Sequence, residues 1–91
     1  MAVGRRERFE SIRPRVVELY GTANDTIERV ARVFELMELA WHDAYGEPAP
    51  PQNVVDDVLT CSRGTLEGLV DAAHLAVVDS RDLAVAASRV E

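Results

Sequence analysis

The chain has 91 residues, 16 acidic against 10 basic, for a formal charge of −6. That length bounds it to one domain, residues 1–91, near the lower limit at which a hydrophobic core alone holds a fold, and its 47% hydrophobic share excludes the disordered class. The acidic balance repels phosphate backbones and anionic lipid, so neither a nucleic acid nor a membrane is an expected partner.

Cys61 is alone, which rules out an internal disulfide and fits a reducing compartment. Every basic residue is arginine, the codon usage of a high-GC genome such as an actinobacterium's. No apolar run reaches the length of a membrane span, and no apolar stretch follows the first arginines as a signal peptide requires. A soluble, cytoplasmic protein is expected.

In chain order, residues 3–12 can form a short helical preamble with Phe9 and Ile12 on one side. The cluster Arg5, Arg6, Arg8, Arg13 and Arg15 reads as a solvated helix start. Pro14 interrupts the pattern, because proline inside a helix removes a hydrogen bond and crowds the preceding turn, so a kink or a fresh start is expected there.

From Val16 an apolar or small side chain returns alternately at four and three residues: Tyr20, Ala23, Ile27, Val30, Phe34, Met37, Trp41, Ala44. That beat keeps one stripe of a helix facing a partner helix, and it predicts a helix over about 14–45, a rod of roughly 45 Å. The charged residues, Glu28, Arg32, Glu35 and Glu38 among them, are expected mainly away from the stripe. Val33, Leu36, Leu39 and Ala40 flank it and widen the apolar arc beyond what one partner helix covers.

Gly46, Pro48, Pro50 and Pro51 make residues 46–52 a stiff turn. The beat then resumes at Val55, Leu59, Ser62, Leu66, Leu69, Ala73, Ala76, Ser80, Leu83, Ala87 and Val90, predicting a second helix over about 53–90. Its soft spot is Thr60 to Thr65, with a kink or a break near Gly64. Leu66 to Val78 is apolar almost all round, and a helix apolar on every side is buried on every side.

The expected fold is therefore all-α: two long antiparallel helices, a hairpin with coiled-coil packing, dimerising into a four-helix bundle. The expected interface is Val33, Leu36 and Ala40 from the first helix with Leu66, Leu69, Val70, Ala73, Ala76 and Val77 from the second. Gly64, Gly68 and the nearby alanines offer a small-residue ladder along which another helix could approach.

No nucleophile signature or glycine-rich phosphate loop is present, and Cys61 reads as an inert thiol. His42 reads as an exposed residue near a helix end, and Trp41 with Phe34, Met37 and Tyr45 as the packed end of a bundle. Asp71 and His74 place a carboxylate and an imidazole one turn apart, a step used by di-iron helical proteins. A turn centred near Ala49 would bring Glu28 opposite them. On the hairpin, on Glu35 preceding Trp41 and on the acidic-x-x-His step, the chain resembles the two-helix encapsulated ferritins, which use Glu where Asp71 stands. That resemblance implies a site for iron or another transition metal built from Glu28, Glu35, Asp71 and His74 in a dimer.

In length, acidity and a tryptophan near the turn the chain also resembles the WXG100 proteins of type VII secretion, although Trp41-His42-Asp43 has no glycine two residues after the tryptophan. That resemblance implies a helical protein partner in place of a second copy. The residues themselves point to a non-enzymatic helical interaction and oligomerisation module without a cofactor, a homodimer or a higher helical oligomer.

Overall fold

The computed structural model describes residues 4–90. Val3, where the preamble is expected to begin, lies outside them, as do Met1, Ala2 and Glu91. The described chain is all helical, with five helices: α1 (Arg5–Tyr20), α2 (Asn24–Tyr45), α3 (Gln52–Ser62), α4 (Leu66–Val78) and α5 (Ser80–Ser88). Two long rods are not what forms, and the 34 × 33 × 19 Å extents have no room for a rod of about 45 Å.

The first expected helix breaks at a different place from the one proline suggests. Pro14 sits on the exposed side of α1, which runs through it and absorbs the preamble. The break is at Gly21, whose φ of 89° and ψ of −172° lie where a residue with a Cβ is strained. Three residues later α2 starts, turned back along α1. Phe9 meets Phe34 with ring centroids 6.3 Å apart, and Arg8 reaches Glu38. The four-three beat crosses this break because it records which side of each helix is apolar, and α1 and α2 each need such a side.

Gly46 ends α2 in the left-handed region, its N–H returned to the His42 carbonyl. The proline-containing connection to α3 falls where expected. The second expected helix divides twice. Arg63 and Gly64 are both left-handed, with φ of 53° and 74°, and Thr65 opens α4 by accepting the Gly68 N–H at 2.9 Å. Asp79 then closes α4 and caps α5, accepting from the backbone N–H groups of Arg81 and Asp82.

Side-chain pairings fix the directions of the helices. Arg15 pairs with Asp56 and Leu19 lies over Leu59 and Thr60, so α1 and α3 run the same way. Tyr20 at the end of α1 donates to the Thr65 carbonyl at 3.1 Å, which brings the start of α4 beside the α1–α2 link. At the far end, the Tyr45 hydroxyl of α2 donates to the Val77 carbonyl of α4 at 2.7 Å. Both ends match, so α2 and α4 are parallel neighbours.

α3 and α4 form the most closely packed pair, and α5 lies across both. The fully buried side chains Val16, Val30, Val58, Leu59, Leu69 and Leu83 come from all five helices. No helix among the described residues is long and apolar enough to cross a membrane.

Candidate functional site: an apolar groove between α2 and α4

The parallel pair α2 and α4 leaves a groove of about 300 Å³ along its outer side. Its walls come from residues spaced three and four apart, which is why they share a face: Val33, Leu36, Met37 and Ala40 on α2, and Val70, Ala73, His74, Val77 and Val78 on α4. Met37 and Ala73 are buried beneath, while Leu36 (57% exposed), Val70 (52%) and Val78 (65%) stand in solvent. His74 is the one titratable residue in the lining, and it is exposed. The other large exposed apolar side chains are Leu19, Leu39, Tyr45 and Val85. An arrangement of this kind can bind an apolar surface.

Six of the nine residues expected at an interface line this groove: Val33, Leu36, Ala40, Val70, Ala73 and Val77. The other three belong to the protomer's own core. Leu69 and Ala76 are fully buried, and Leu66 packs against the core. α4 is not buried on every side as its apolar run suggests: α2, α3 and α5 cover the side bearing Leu69, Ala72, Ala73 and Ala76 within one chain, while Val70 and Val78 stay exposed.

The four expected metal ligands are divided between two sides of the molecule. Glu28 and Glu35 line a cleft between α1 and α2 with Arg5, Phe9 and Arg13, and Glu35 pairs with Arg5 at 3.8 Å. Asp71 and His74 are exposed on α4. Among the described residues no group of three or more acidic, histidine or cysteine side chains is placed to hold a metal ion.

Glu38, expected on the solvent side, is instead buried. It lies four residues after Phe34 and three before Trp41, a spacing that puts it beside the stripe. Arg8 grips its carboxylate with Nε at 2.7 Å from Oε2 and Nη2 at 3.0 Å from Oε1, and Arg5 Nε adds a bond at 3.3 Å. The bond to Glu38 raises the Arg8 pKa against the opposing effect of burial. These groups line a cavity of about 80 Å³ between α1, α2 and the Ala49–Pro50 connection. The basic cluster at the amino end is thus partly a clamp holding α1 to α2, and Arg15 a link to α3.

Trp41 packs at the end of the bundle, its ring 4.4 Å from that of Tyr45 and its Nε1 donating to Glu47 at 2.9 Å. His42 is exposed, with Nδ1 3.3 Å from the Glu47 carbonyl oxygen. Cys61 is partly buried, its sulfur 3.9 Å from the Leu83 carbonyl oxygen, and burial, helped by Asp57, pushes its thiol pKa up. A raised thiol has little thiolate near neutrality, so Cys61 is a poor nucleophile. Compared with family models, curated proteins and solved structures, the chain matches none of them.

Proposed function

We propose that this chain is a non-enzymatic helical interaction module that associates through the groove between α2 and α4, most simply as a homodimer in a reducing cytoplasmic setting. The observation that carries the reading is the juxtaposition of Leu36, Val70 and Val78, all more than half exposed, along one apolar channel. Apolar side chains gathered on one exposed face gain free energy when a second surface covers them, at about 25 cal/mol per Å² removed from water. Joining α2 and α4 to the same pair of another copy would give a four-helix layer, now built from helices of 22 and 13 residues in place of two rods.

Light scattering coupled to gel filtration, from micromolar to millimolar concentration, tests this. The wild type is expected to reach twice the protomer mass. Leu36→Glu and Val70→Glu are expected to remain monomeric with unchanged helical circular dichroism, because both positions are exposed in the protomer. A wild type that stays monomeric throughout, or a dimer indifferent to both substitutions, would overturn the reading.

A further inference from the structure

The residues bordering the groove bear opposite charges on its two sides. On α2, Arg29 and Arg32 each lie one helical turn before Val33 and Leu36. On α4, Glu67 and Asp71 each lie three residues before Val70 and His74. All four are exposed, and none has an ion-pair partner among the described residues. Because α2 and α4 are parallel, the basic pair and the acidic pair border the amino-terminal half of the groove on opposite sides.

We infer that the groove's occupant is a second copy of this chain, docked about a two-fold axis running along the helices, so that the Arg29–Arg32 edge of each copy meets the Glu67–Asp71 edge of the other. This rests on the interaction-module reading above and specifies its partner. A rotation about that axis carries α2 of one copy over α4 of its partner in the same direction, amino-terminal half against amino-terminal half. Basic edge therefore faces acidic edge twice, once on each side of a shared apolar seam.

The alternative two-fold axis, across the helices, lays α2 on α2 and α4 on α4 in opposite directions. That arrangement does not bring the Arg29–Arg32 edge of one copy onto the Glu67–Asp71 edge of the other. Opposite charges on the facing edges favour the first arrangement and set its register, in the way that oppositely charged edges set partner orientation in coiled coils. An isologous contact of this kind closes at two copies.

The test uses two variants of the full chain, Arg29→Glu/Arg32→Glu and Glu67→Arg/Asp71→Arg, examined by native mass spectrometry singly and mixed. Each alone places like charges on both edges, and its self-association is expected to weaken by about tenfold or more, the more so at low salt. Mixed in equal amounts, the two regain opposite charges on both edges, so a heterodimer of intermediate mass is expected to dominate the spectrum.

A mixture that forms no heterodimer, or variants that dimerise as well as wild type, would overturn the proposed pairing. If Leu36→Glu still abolished the dimer in that case, the groove would remain the contact and only the edge pairing would fail. A wild type monomeric at every concentration would defeat both.

Discussion

Arg8 and Glu38, 30 positions apart, close a two-pronged ion pair that fastens α1 against α2, with Glu38 only 8% exposed. A carboxylate held this far out of water depends on its cation, since losing one partner of a buried pair leaves an uncompensated charge. Arg8→Met is expected to lower stability by about 2 kcal/mol, with Arg5 offsetting part of the loss. Arg8→Met/Glu38→Leu should recover much of it, because two apolar side chains need no counter-charge. Urea unfolding of both variants decides the point: a double variant no more stable than Arg8→Met would show that the cost lies in packing.

Gly21 and Gly64 both adopt positive φ, but their surroundings differ. A Cβ at Gly21 would meet nothing within 4 Å, whereas one at Gly64 would come 2.9 Å from the Leu19 carbonyl oxygen. Gly21→Ala should therefore cost only backbone strain, about 1–2 kcal/mol, and Gly64→Ala should cost more because α1 must also move. Equal losses in thermal unfolding would contradict this ranking.

Gly68 lies inside α4, where alanine ordinarily stabilises a helix by about 1 kcal/mol. Here a Cβ would collide with the Ser62 carbonyl, across the tight turn from α3. Gly68→Ala is expected to reverse the usual sign and destabilise by about 2 kcal/mol or more. A raised melting temperature would mean the turn can open at little cost.

Burial raises the Tyr20 phenol pKa, opposed by a hydrogen bond with Ser62. The folded chain thus keeps this proton to higher pH than the unfolded chain does. The associated stability is fully present below the ordinary phenol value of about 10 and is lost as pH rises through the raised folded value. Tyr20→Phe should lose about 1 kcal/mol near neutrality, for the bond to the Thr65 carbonyl, and should fall off less steeply than wild type above about pH 10. Parallel alkaline slopes for the two chains would sink the assignment.

Local pattern determined a good deal about this protein. The connection at Gly46–Pro51 follows from its glycine and prolines, and the all-α class, the apolar faces of α2 and α4 and six of the groove residues follow from spacing, because a helix must bury one side and three-four periodicity marks that side. The same periodicity carries no information on continuity. Val16, Tyr20, Ala23 and Ile27 keep the beat although Gly21 turns the chain around between them, and Leu59, Ser62 and Leu66 keep it across Gly64.

Tertiary structure decided where the helices stop and what they face. Folding α1 back on α2 buries Glu38 against Arg8, and seats Glu28 and Glu35 in a cleft with Arg5 and Arg13 that does not include Asp71 or His74. Packing α2, α3 and α5 against one side of α4 turns Leu69 and Ala76 from expected interface into core. The physical reason is that a chain this short gains more by covering its apolar sides within itself, through left-handed turns at Gly21, Arg63 and Gly64, than by holding two extended helices half exposed. Among the apolar surface that this internal packing leaves uncovered is the groove between α2 and α4.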